Sequence, residues 1–204
     1  DAFIEELLRE RACELGMEDA RFFDLIRYKR ADIFEKQLHI YVMEVHAMIE
    51  NKKLLIKSIA LPLLVGIVAG LLTRNAMQDF NMLIKPPLSP PGWLFPVVWT
   101  ILYILMGISA YLIKTADADA EAKSDALMIY NYQLIVNFLW SIFFFNFEWR
   151  LFSFFWILLL WVLIILMIRQ FDKISQTAAY LNLPYLLWVT FAAYLNFGIW
   201  WLNR

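Results

Sequence analysis

The sequence predicts an all-α integral membrane bundle of five transmembrane helices, preceded by a short, polar, amphipathic helical segment. Three observations predict it. The chain of 204 residues is 62% hydrophobic and 17% aromatic, well above the roughly 45–50% apolar content usual in soluble domains. Charge is unevenly placed: residues 1–53 hold 9 of the 18 Lys+Arg and 12 of the 19 Asp+Glu, although the net charge is only −1. Beyond them come five apolar runs, each near the roughly 20 residues that cross a hydrocarbon layer. Two domains are expected on this basis, a polar one over 1–50 and a membrane one over 51–204.

Residues 2–15 set Phe3, Leu7, Leu8, Ala12 and Leu15 at helical spacing among Glu and Arg, with Gly16 following as a C-cap. Over 19–49, Phe22, Phe23, Ile26, Ile33, Phe34 and Leu38 lie among mixed charges, which predicts one or two further helices. The opening residues are acidic where a secretory leader would be basic, and a chain beginning on Asp1 is expected to be a fragment. Cys13 stands alone, so it offers neither an intramolecular disulfide nor a cysteine metal site.

The five spans are expected at 54–73, 93–113, 127–146, 151–169 and 183–202. The fourth is the clearest, since 151–168 contain one polar residue, Ser153, and no charge. In the first, Gly66 and Gly70 form a G-x-x-x-G with Ala69 beside them, a pattern that lets membrane helices approach closely. Between the first two spans, Lys85-Pro-Pro-Leu-Ser-Pro-Pro-Gly cannot be helical, because four of its eight residues are Pro. A stiff, ordered extramembrane loop is expected there. Lys52, Lys53, Lys57, Lys114, Lys123, Arg169 and Lys173 fall on one side, against Arg74, Lys85, Arg150 and Arg204 on the other. That bias favours a cytoplasmic N-terminus.

The usual catalytic residues are scarce. His39 and His46 both lie in the polar segment, which disfavours a metalloenzyme. No glycine-rich phosphate loop or basic tract with interleaved aromatics supports nucleotide or nucleic-acid binding. Asp79, Glu148 and Asp172 fall at loops or span ends, whereas a proton relay needs acids within the spans. What remains is aromatic: all nine Trp lie between Trp93 and Trp201. Trp93, Trp149, Trp200 and Trp201 sit near span ends, as interfacial tryptophans do. Trp99, Trp140 and Trp188 sit deeper, where an indole needs a partner for its N–H or a cavity to face. Asn131, Gln133, Asn137 and Asn196 are costly in lipid and are expected to point into the bundle, as interhelical glue or as ligand contacts. Asn137 and Trp140 are three apart, so one helix face offers an amide and an indole. Such a face suits a flat, mostly apolar ligand with a few polar edges.

Leu83-Ile84-Lys85-Pro86 with Pro90-Pro91-Gly92-Trp93, then Val98-Trp99-Thr100-Ile101-Leu102-Tyr103 and Met106-Gly107, resemble the TspO/MBR signature of tryptophan-rich sensory and translocator proteins. Asn137 with Trp140 and Phe143-Phe144, Leu183-Pro184-Tyr185-Leu186-Leu187-Trp188, Phe191-Ala192 and Leu195-Asn196 follow in that family's order, so the resemblance covers about 54–204. It implies a five-helix bundle, often dimeric, in a bacterial membrane. It implies a cavity for porphyrins such as protoporphyrin IX, sterols and benzodiazepine-type or isoquinoline ligands, with no cofactor required. By match to family positions, Ala69, Leu72, Phe95, Val98, Trp99, Asn137, Trp140, Trp188, Ala192 and Leu195 would line it, with the proline-rich loop as lid. Trp99 and Trp188 match the two tryptophans implicated in light-driven porphyrin degradation by some relatives.

The chain departs from the pattern in places. The Trp-Tyr pair before the lid is Asp79-Phe80 here, and a common pocket Trp is Phe152. In the C-terminal cholesterol motif, Phe197 replaces Tyr and Trp201 replaces a basic residue, so sterol binding is not inferred from that weak motif. Separately, Leu8-Arg9-Glu10-Arg11, Glu14-Leu15 and 21–30 resemble the C-terminal part of a RagB/SusD nutrient-uptake protein over about 5–40. That piece is expected to be a remnant without activity of its own. The leading expectation is a membrane protein that binds, senses or moves tetrapyrroles and similar hydrophobic molecules. The alternatives are a photodegrading enzyme using Trp99 and Trp188, and a purely structural membrane partner.

Overall fold

The computed structural model describes residues 31–76, 80 and 82–204, with side chains from residue 50 onward, apart from 77–79 and 81. The helix expected over 2–15, the start of the 19–49 stretch and Asp79 lie outside the described residues. The chain divides between Lys53 and Leu54, and the unit from Leu54 to Arg204 is described by itself.

Six α-helices are described: α1 (Ala31–Thr73), α2 (Leu94–Thr115), α3 (Ala120–Ser141), α4 (Arg150–Asp172), α5 (Gln176–Tyr180) and α6 (Leu183–Leu202). Five segments are long and apolar enough to cross a membrane: Glu50–Thr73, Leu94–Thr115, Ala120–Asn146, Arg150–Asp172 and Gln176–Leu202. The protein is therefore an all-helical, multi-pass integral membrane protein. Within α1, Lys53 pairs with Glu50 one turn back at 2.7 Å. α3 begins at Ala120, earlier than the expected 127, because the Asp119 carboxylate accepts from the N–H of Glu121 and Ala122 at 3.0 and 3.1 Å.

α4 packs between α3 and α6. Leu160, Ile164, Met167 and Phe171 recur at helical spacing and are fully buried, whereas Phe155, Leu159, Val162 and Leu166 on the opposite face are exposed and meet lipid. Because lipid chains are as apolar as these side chains, close packing and buried hydrogen bonds hold such a bundle together. One set of bonds joins α3 to α6: Asn137 Nδ2 donates to the Tyr185 hydroxyl at 2.9 Å, and that hydroxyl donates to Gln133 Oε1 at 2.8 Å. Another ties α2 to α5 and the turn after it. There Ser109 donates to the Ala178 carbonyl at 2.7 Å, and Asn182 Nδ2 donates to both Ser109 Oγ and Ala178 O.

α1 meets α2 backbone to backbone. A methyl group on Gly107 would strike Ser58 and Ile59 of α1, and Lys114 Nζ donates to the buried Ser58 hydroxyl at 3.0 Å. Asn131 corrects an expectation, for it is exposed while Gln133, Asn137 and Asn196 are buried. It lies two residues from Gln133, about 200° around the helix, so both amides cannot face the interior.

Candidate ligand-binding cavity

A cavity of about 440 Å³ lies beneath the proline-rich loop, within the roughly 300–1,000 Å³ range of small-molecule sites. α1 supplies Gly66, Ala69, Gly70 and Thr73, and α2 supplies Phe95, Trp99 and Tyr103. α6 supplies Trp188, Ala192, Leu195 and Asn196. No residue of α4 is among those that line it. Gly66 is needed where it is: a Cβ there would collide with the Tyr103 ring, which packs flat against α1 at that level. Gly70, one turn on, has nothing within 4 Å of where its Cβ would stand. The G-x-x-x-G pair thus splits between a contact and an opening.

α3 reaches the cavity through a π-helical turn over Ile142–Asn146, in which the Phe147 N–H donates to the Ile142 carbonyl at 3.1 Å. Trp140, Phe144 and Phe145 line the cavity. Trp140 stacks on Phe144 with ring centroids 5.3 Å apart, and Phe80 meets Phe144 and Phe145 edge-on at 5.9 and 5.3 Å.

The loop forms the roof as expected, with Lys85, Ser89, Pro90 and Gly92 lining the space. It is fastened to α6 at three points. The Asn203 side chain accepts from Ile84 N–H at 3.0 Å and donates to Ile84 O at 2.9 Å. The Tyr194 hydroxyl donates to Pro87 O at 2.8 Å. Pro86 lies so close to Gly198 that a Cβ there would come within 2.7 Å of its ring. Within the loop, Leu88 adopts φ 66°, a turn conformation rare for a bulky residue, while Ser89 caps Pro86 O at 2.7 Å.

Of the ten residues assigned to the cavity from sequence, Ala69, Phe95, Trp99, Trp140, Trp188, Ala192 and Leu195 line it, and Leu72, Val98 and Asn137 do not. Leu72 is 53% exposed. It follows Gly70 by two residues and so points away from it, and only its carbonyl is engaged, accepting from Asn146 Nδ2. Val98 packs on the helical core instead. Asn137 is buried one turn below Trp140, with its amide committed to Tyr185. Phe152, which replaces a pocket Trp, lies outside the lining, meeting Phe143 edge-on and Trp156 at a tilt. Sequence reasoning missed Tyr103, Phe80, Phe145 and the two glycines as lining residues. Asn196 points inward as its polarity predicts and lines the cavity.

Two deep indoles differ in what holds them. Trp140 Nε1 donates to Asn196 Oδ1 at 3.1 Å, and Asn196 Nδ2 in turn donates to the Arg150 carbonyl. Trp188 packs against Phe95 and Phe191 at 5.8 and 5.7 Å, but its Nε1 is buried without an acceptor. An unpaired buried donor costs roughly 1–3 kcal/mol.

Fold and cavity together define a five-span membrane protein with an aromatic-walled internal cavity of small-molecule size. Comparison with known proteins narrows this: the TspO/MBR family model matches residues 58–202. A tryptophan-rich protein TspO of Chlorobaculum tepidum is 38% identical over 156 residues, covering 75% of this chain and 99% of the relative. A tryptophan-rich sensory protein of Cereibacter sphaeroides is 34% identical over 124 residues, 61% of this chain and 76% of the relative. The translocator protein of Ovis aries is 34% identical over 121 residues, 59% and 72% respectively. The chain belongs to the TspO/MBR family. A SusD family model also matches residues 1–91, beyond the 5–40 expected, through the first span and into the proline-rich loop.

Proposed function

We propose that this protein binds tetrapyrroles of the protoporphyrin IX type, and similarly flat hydrophobic molecules, in the cavity beneath the proline-rich loop. The observation that carries the reading is a space walled by the rings of Phe95, Trp99, Tyr103, Trp140, Phe144 and Trp188. Ring faces suit a conjugated disc. Relatives are named as sensory and translocator proteins, and either role requires capture of a ligand.

Titration of detergent-purified protein with protoporphyrin IX in the dark, followed by Trp quenching, tests this. Saturable binding is expected. Trp188→Ala, which removes one ring from the wall, should weaken it by about 0.5–1.5 kcal/mol, the worth of one aromatic pair. Binding that is unsaturable, or indifferent to Trp188→Ala, contradicts the reading.

A second reading has one observation in its favour, since Trp99 and Trp188 line the same cavity and both indoles would flank a bound porphyrin. In it, the protein degrades the porphyrin in light. Illumination of the complex should then bleach the porphyrin spectrum, and Trp99→Phe with Trp188→Phe should stop the bleaching.

A further inference from the structure

We infer that the cavity is loaded sideways from the hydrocarbon layer, through a gap between α1 and α2 framed by Ile67 and Gly70 on one side and Pro96 and Thr100 on the other. The inference rests on the ligand-binding reading above and adds the route by which the site is reached.

All four framing residues line the cavity and are exposed, and the residues beside them, Val68, Leu71, Val97 and Ile101, are exposed without lining it. Exposed cavity-lining residues next to exposed residues that do not line it mark an opening. The course of the two helices explains it. They touch where Gly107 admits Ser58 and Ile59, and they are still in contact where the Tyr103 ring covers Gly66. One turn further, nothing stands within 4 Å of a Cβ on Gly70, so α2 has parted from α1. The glycine leaves that width unfilled.

The rim is apolar. Ile67, Gly70 and Pro96 carry no polar side-chain group, and the Thr100 hydroxyl is spent on Pro96 O of its own helix at 2.8 Å. A flat apolar solute passing here meets no group that must be desolvated. The rim lies within the segments Glu50–Thr73 and Leu94–Thr115 that cross the membrane, so it faces lipid chains, in which such a solute concentrates. The other walls are less accommodating. The roof is fastened to α6 through Asn203, Tyr194 and the Pro86–Gly198 contact. On the α4 side the bundle is filled by Ile157 and Leu160, both fully buried.

The test uses the full chain in phosphatidylcholine vesicles and follows Trp quenching by stopped flow after mixing with vesicles that carry protoporphyrin IX. Gly70→Phe and Thr100→Phe place a ring in the gap from either side, and Asn203→Ala releases the roof. Gly70→Phe is expected to slow both association and dissociation by about tenfold or more, as a plugged entrance must. Thr100→Phe should act in the same direction, and Asn203→Ala should leave the association rate as it is. If the Gly70→Phe ring enters the cavity and abolishes equilibrium binding, Thr100→Phe decides by the same rates. Unaltered association in the portal variant that still binds, or faster association in Asn203→Ala, overturns lateral entry. Absence of equilibrium quenching in the unaltered protein would instead overturn ligand binding itself.

Discussion

The end of the bundle around Gly107 and the end beneath the proline-rich loop are built from the same five membrane-crossing segments, yet one is solid and the other hollow. In the solid end small residues meet: Gly107 admits the backbone of α1, and Ala110, Ala126 and Ala178 are buried beside Met106, Ile113 and Phe171. Its polar groups are mostly spent on each other, in the Asn137–Tyr185–Gln133 and Ser109–Asn182 sets. In the hollow end, glycines stand opposite rings. Gly66 accommodates Tyr103, Gly70 faces nothing, and Trp99, Trp140, Trp188 and Phe144 hold the helices apart. Where Gly107 meets α1, backbones touch; where Gly70 stands with nothing opposite it, a space is left.

The contrast can be broken at several points. The largest effect is expected at Tyr185, fully buried with its hydroxyl bonded to two side chains of α3. Tyr185→Ala should cost about 3–5 kcal/mol of stability, read as a lower unfolding temperature in detergent, and Tyr185→Phe should cost less. A smaller loss is expected from Gly107→Ala, whose methyl group meets backbone that cannot swing aside. About 1–3 kcal/mol is the usual cost of such overpacking, and thermal unfolding would register it. Should Gly107→Ala prove neutral, the close crossing of α1 and α2 is not what fixes the solid end. Least of all should come from Leu72→Ala, on the lipid-facing side of α1. Neither stability nor porphyrin affinity should change by more than about 0.5 kcal/mol, and a marked loss of affinity would return Leu72 to the cavity wall.

Much of this was legible in the sequence, and the failures have physical causes. Five apolar runs announce five spans because hydrocarbon thickness imposes their length. Gln133, Asn137, Trp140 and Phe144 keep close to one helical face, so their burial follows from spacing. Asn131 breaks that spacing, and polarity by itself does not reveal which way a side chain points. Asn137 and Trp140 do share a face, but at different depths: one falls in the solid end and the other in the hollow end. A hydrophobic pattern carries the direction of a residue better than its height. The π turn at Ile142–Asn146, which carries Phe144 and Phe145 to the cavity, has no residue signature. Nor does the unpaired Trp188 N–H, which appears only when every possible acceptor has been placed.

Filling the hollow end tests the central claim most directly. Ala192 is buried in the cavity wall between Trp188 and Leu195, and Ala192→Phe puts a ring where the ligand is to lie. Protoporphyrin IX titrations in the dark should show saturable Trp quenching for the unaltered protein and none for Ala192→Phe, with the two unfolding at similar temperatures. Equal quenching of a folded Ala192→Phe protein would place the ligand elsewhere and leave the cavity without its proposed role.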